Sequence, residues 1–167
     1  GYENGQRVHC YVRWPGGGIE GGKDVDRLTA NFDLLPTLLD CCGIEPPAGA
    51  SFDGTSLLPL LRNPGTAWAE RTLFVQNQRV DFPVKYKEFQ VLTERWRLVS
   101  PTSKDGEVAV PPAAEIGSLK SLELYDIRTD PGQREDMAGR HPETVAELHS
   151  RYEAWWNDVS AKWDDYN

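Results

Sequence analysis

The sequence predicts an α+β fold: a small four-stranded antiparallel sheet packed by a long C-terminal helix, plus one strand and one helix belonging to a larger α/β domain. Three observations carry this. Four short runs of strand-forming residues, separated by turn residues, lie between residues 72 and 125. From Pro142 onward, apolar side chains recur at steps of three and four, as on an amphipathic helix. Residues 7–14, RVHCYVRW, carry apolar groups at most positions, which suits a strand buried on both faces. Such a strand needs a large sheet around it, and nothing else before residue 70 reads as its neighbour.

Composition bounds the function classes. The chain has 167 residues, 39% of them hydrophobic and 26% charged, which fits a globular protein with a core. A net charge of −8 argues against nucleic acid as a partner, because phosphate contacts need clustered Lys and Arg. No apolar run approaches the ~18 residues that a membrane span needs. The opening GYENGQRV has neither a Met nor a capping element, as expected of a piece of a longer protein. Cys10, Cys41 and Cys42 have no metal-ligand spacing and no even-numbered disulfide framework, so they are expected to be free, buried thiols.

Taken in order, the strand at 7–14 ends at Pro15-Gly16-Gly17-Gly18, a flexible loop. A helix over about 32–42 follows from the spacing of Phe32, Leu34, Leu35, Leu38, Leu39 and Cys42. Asn31 or Asp33 can cap its start, Pro36 falls in its first turn, and Gly43 is placed to end it. Residues 51–63, SFDGTSLLPLLRN, predict a turn at Asp53-Gly54 and a short helix packing Leu57, Leu58, Leu60 and Leu61. Domain organisation is therefore expected as residues 1–50, a remnant of a large α/β domain, and 51–167, a C-terminal subdomain.

The predicted strands are Thr72–Gln76, Phe89–Thr93, Trp96–Val99 and Leu122–Tyr125. In the third, Trp96 and Leu98 alternate with Arg95, Arg97 and Val99, which predicts one buried and one mostly wet face. Thr93-Glu94-Arg95 is short enough for a hairpin. Residues 101–118, longer than most connections, form an excursion between strands. Asp130-Pro131-Gly132 is a turn in which Pro presets φ and Gly tolerates φ > 0. The last helix starts at His141-Pro142-Glu143, with Pro and an acidic residue both favourable in a first turn. Its stripe is Val145, Leu148, Tyr152, Trp155, Val159 and Trp163; if Trp156 were also core, the stripe would widen and one ring would flank the edge.

Several of these segments resemble the type I sulfatases of the alkaline phosphatase superfamily. The run LYDIRTDP, the helix entry HPETVAEL and the Trp-Trp pair resemble that family's C-terminal subdomain. YENGQRV with its following WPGG resembles a "YEGG-x-R-V-P … WPG" strand. DLLPTLLDCCGI resembles "D-x-x-PT-x-x-x-x-x-G", and FDGTSLLPLL resembles "DG-x-S-x-x-P-x-L". Each motif is weak alone, but five in order cover essentially the whole chain. His9 stands where the family has Pro, and Asn4 replaces a common Gly.

The resemblance implies a parent enzyme that hydrolyses sulfate esters with a formylglycine nucleophile and Ca²⁺ or another divalent cation. Its expected partners are the parent's N-terminal catalytic domain and a sulfated small molecule or glycan. Formylglycine arises from Cys or Ser in "C/S-x-P-S/T-R", a motif that this sequence lacks. The fragment is therefore expected to be inactive, with no catalytic or metal residue of its own, and to brace the site and shape the pocket mouth. Tyr2, Glu3 and Arg7 are the residues expected to border the pocket, because the family segment they match runs on from a sulfate-contacting Lys. Bacterial enzymes of this type are often exported. Alternative functions are a phosphodiesterase or phosphonate monoester hydrolase of the same superfamily, or a non-catalytic assembly or carbohydrate-contact module. Apolar faces on residues 7–14 and 33–42, once separated from the parent, favour self-association.

Other chemically tempting residues read as structural. Asp24, Asp26 and Asp33 lack the Gly-centred series of a Ca²⁺ loop and are better explained as complementing a helix dipole. Ser56 lacks a nucleophile elbow. His9, His141 and His149 are not paired in sequence with a nucleophile.

Overall fold

The structure, a computed structural model, describes residues 7–77, 84–100 and 119–162. By its internal contacts the chain divides into two units, Val8–Glu70 and a second made of Gly1–Arg7 with Arg71–Asn167.

Unit Val8–Glu70 is built around α1 (Leu34–Cys42), preceded by a 3₁₀ turn at Asn31–Asp33, and α2 (Leu58–Arg62). Gly43 ends α1 in the left-handed region at φ 63°, and its N–H and that of Ile44 return to Asp40 and Leu39 carbonyls. Asp33 fastens α1 to the loop before α2. One carboxylate oxygen accepts the Ala30 N–H at 2.7 Å and the other the Thr55 N–H at 2.9 Å. The Thr37 hydroxyl donates to the Asp33 carbonyl and accepts the Leu57 N–H. Gly54 sits so close that a Cβ there would lie 2.1 Å from the Phe32 carbonyl oxygen. The turn therefore needs Gly for close approach rather than for a special φ. Ile19, Leu58 and Leu60 are the buried aliphatics of this unit.

The expected strand at 7–14 is not formed. Residues 7–13 have no regular structure and are exposed, and Trp14 makes one antiparallel bridge to Ile19 across the turn at Pro15–Gly17. The reason is physical: a strand exists through its neighbours, and no described residue offers this segment a ladder. The thiols depart from expectation too. Cys10 and Cys42 are exposed and Cys41 is half-buried, because α1 turns its Cys42 side outward and residue 10 lies in the unpaired segment.

The second unit is the sheet and its helix. Strands β1 (Leu73–Gln76), β2 (Phe89–Leu92), β3 (Trp96–Val99) and β4 (Glu123–Asp126) pair antiparallel in chain order. Helix α3 (Pro142–Ser160) lays Val145, Leu148, Tyr152 and Trp156 on Phe89, Val91, Leu98, Leu122 and Leu124. Trp156 is the more buried of the tryptophan pair, and Trp155 stacks on Phe74 of β1 with ring centroids 5.1 Å apart. The stripe is thus the wider of the two forms, with Trp155 at the sheet edge. Trp163 and the excursion 101–118 lie outside the described residues.

Two local expectations are revised. Arg97 and Val99 are buried, not wet; the Arg97 guanidinium donates to the carbonyls of Thr93 and Trp96, and the opposite face of β3 is covered. After β4 the left-handed residue is Gln133, at φ 50°, and not Gly132. The turn is held by Asp130, whose carboxylate accepts N–H bonds from Arg134 and Glu135. The outer edge of β4 is closed as well. Asp136 accepts the Leu124 N–H at 2.9 Å, and Met137 donates to the Leu124 carbonyl at 2.8 Å.

Candidate functional site

Of the residues expected to border a substrate pocket, Tyr2 and Glu3 lie outside the described residues, and Arg7 is exposed at the start of the irregular segment. The carboxylates do not gather. Asp24 and Asp26 are exposed in irregular chain, and Asp33 is buried and occupied by backbone N–H groups. Among the described residues no group of three or more His, Cys, Asp or Glu side chains could hold a metal ion. Ser56 donates to Asp40 at 2.6 Å and accepts the Leu58 N–H, which makes it a fastening at the start of α2. His9 stacks on Tyr11, and His141 leans on Trp96 with centroids 5.0 Å apart.

One polar cluster does form, where segment 84–88 lies on α3. The Glu153 carboxylate accepts Lys85 Nζ at 2.6 Å and the Tyr86 hydroxyl. Tyr152 Oη accepts the Tyr86 N–H at 3.1 Å and Gln76 Nε2 at 2.8 Å. His149 stacks on the Tyr86 ring, with centroids 5.6 Å apart and planes within 11°. Burial pushes the Tyr152 hydroxyl up to about 12 and holds His149 below its ordinary value. Burial would raise Glu153, but the hydrogen bonds from Lys85 and Tyr86 outweigh it and hold the carboxyl low. At neutral pH the cluster therefore contains a neutral imidazole, a neutral phenol pair and one Lys–Glu ion pair. It has no nucleophile paired with a base, and it fixes chain in place. Sequence reading missed it because its members lie about 66 residues apart; only the helical spacing of His149, Tyr152 and Glu153 was visible.

The functional surface with the least internal explanation is apolar. On unit Val8–Glu70, Leu34, Leu35 and Leu38 of α1 are 44%, 54% and 61% exposed, and Val8 and Tyr11 are 80% and 88% exposed. Solvated helices seldom show three leucines together, and among the described residues none covers this face.

Comparison with known proteins places the chain in a family. The family model described as N-sulphoglucosamine sulphohydrolase, C-terminal, matches residues 1–110. The N-acetylglucosamine-6-O-sulfatase of Bacteroides thetaiotaomicron is 24% identical over 142 residues, covering 83% of this chain and 22% of that protein. Arylsulfatase K of Gallus gallus is 29% identical over 157 residues, covering 88% of this chain and 25% of its own. The solved structure of BT1596, described as a 2-O GAG sulfatase, superposes with a TM-score of 0.54 at 24% identity, covering 89% of this chain and 29% of that one. The chain thus spans about a quarter of the length of the curated relatives it matches. It belongs to the family of N-sulphoglucosamine sulphohydrolase C-terminal regions and is a C-terminal portion of a sulfatase.

Proposed function

We propose that this chain is the supporting subdomain of a sulfate ester hydrolase, bracing its catalytic site and shaping the mouth of its pocket. The observation that carries the reading is the exposed leucine face of α1, in a chain matching only about a quarter of sulfatase-length relatives. A face of that kind is stable when a larger domain covers it, and the N-terminal catalytic domain is the partner assigned here.

The chemistry is assigned to that domain. A divalent cation does not fit the described residues, whose carboxylates stand apart or are saturated by backbone N–H groups. None of the three cysteines lies in a formylglycine motif. The nucleophile and Ca²⁺ therefore belong to the remainder of the enzyme, and no bond-breaking step is given to a side chain of this chain. What it contributes is rigidity: the Asp33–Thr37 fastening and the sheet–α3 core hold their segments without needing a ligand. The substrate class is a sulfated small molecule or glycan.

The test is turnover by the longer polypeptide containing this sequence, offered an aryl sulfate, a phosphodiester and a phosphonate monoester. Preferential sulfate release is expected. Preference for either phosphorus ester would replace the reading with a different hydrolase of the superfamily, and activity on none would leave a non-catalytic module.

A further inference from the structure

We propose that Tyr86, His149 and Glu153 form an acid-released latch that fixes residues 84–88 on α3. The segment is held in a backbone it would not adopt freely: Tyr86 and Glu88, neither of them Gly, stand at φ 67° and 49°. Side-chain-bearing residues are strained in that region and persist only where surrounding contacts enforce them. Among the contacts that enforce it, those of Tyr86 and Lys85 run to α3 and to Ser100. Tyr86 N–H donates to Tyr152, its carbonyl accepts Ser100 Oγ at 3.0 Å, and its hydroxyl donates to Glu153. Lys85 grips the other Glu153 oxygen.

His149 is the responsive part. Its Nε2 is buried without a hydrogen-bond partner and lies 3.7 Å from Glu153 Oε1, the oxygen that already accepts the Tyr86 hydroxyl. Among the described residues, the charged and titratable groups that bear on it are Lys85 and the stacked Tyr86 from the segment and Glu153 from α3. Protonation puts a cation into a half-buried site beside Lys85, and the imidazolium Nε2–H competes with Tyr86 for one carboxylate oxygen. Glu153 attracts the imidazolium, but burial outweighs that attraction, so the closed latch favours neutral His149. The open segment takes the proton more readily. Closure is therefore complete above the ordinary histidine range and weakens as pH falls through it. Glu153 adds a second loss at lower pH, since its own carboxyl is held low by the closed latch.

Two-dimensional NMR of the chain with amide exchange tests this. As pH falls from about 8 to about 5, where histidines change charge, the Tyr86 amide is expected to lose protection after correction for intrinsic exchange. The His149 ring is expected to titrate with the same midpoint, below that of a free histidine. His149→Phe keeps the stacking ring and removes the proton, so it should leave Tyr86 protected across the range. Should that variant not fold, the wild type alone decides. A His149 midpoint at or above the free value, Tyr86 protection unchanged while His149 titrates, or a folded His149→Phe that still opens with acid would each overturn the latch.

Discussion

Asp33 shows how much one side chain can hold. It is fully buried, and its oxygens accept backbone N–H groups from Ala30, before α1, and from Thr55, before α2. Asp33→Ala strands two donors, and with charge-assisted bonds at about 1.5–3 kcal/mol each, a loss of about 3–6 kcal/mol is expected in urea unfolding. A loss below about 1 kcal/mol would show that water replaces the carboxylate. Gly54→Ala should be damaging for a separate reason, since the added carbon meets backbone that cannot move aside. Asp130 is the contrasting case. Backbone hydrogen bonds, first from Glu135, hold its carboxyl below the usual range, but the group is half-exposed. Its folded value is depressed, so the turn it holds is firm above the ordinary carboxylate range and loosens as pH falls through it. Proton titration of Asp130 by NMR should give a midpoint below that of an exposed aspartate.

At the scale of elements, α3 is the piece on which the sheet depends. Trp156→Ala removes a core ring and is expected to cost about 3–5 kcal/mol, whereas Val159→Ala, at the half-buried end of the same helix, should cost far less. Thermal unfolding of the two variants separates them. The strands and both long helices were legible in the sequence because period, caps and breakers agree there: Gly43 ends α1, Pro142 starts α3, and the four strands fall within about a residue of their hydrophobic runs. What was not legible depends on partners. The run at 7–14 has the composition of a buried strand but finds no ladder among the described residues, so it stays irregular and exposed. Arg97 alternates as a wet residue should, yet it is buried because its guanidinium reaches carbonyls across the hairpin turn. The latch joins β-sheet approach to helix over dozens of residues, and no local pattern records such a pairing.

For the whole molecule, the division between what is packed and what is exposed follows the division of labour proposed above. The sheet and α3 close on their own core, while α1 presents leucines to solvent. Leu38→Glu should leave the stability of the chain within about ±0.5 kcal/mol, as for other exposed sites, yet destroy activity and folding yield in the longer enzyme. The same substitution should suppress concentration-dependent association of the 167-residue chain in light scattering, because it removes the apolar face that drives it. The most direct measurement is sulfate release from a chromogenic aryl sulfate, with calcium present, by this chain alone and by the longer polypeptide containing it. Release by the longer polypeptide only is the predicted result. Release by the isolated chain would contradict the account, because it would require a nucleophile and a charge-stabilising centre made wholly from these residues.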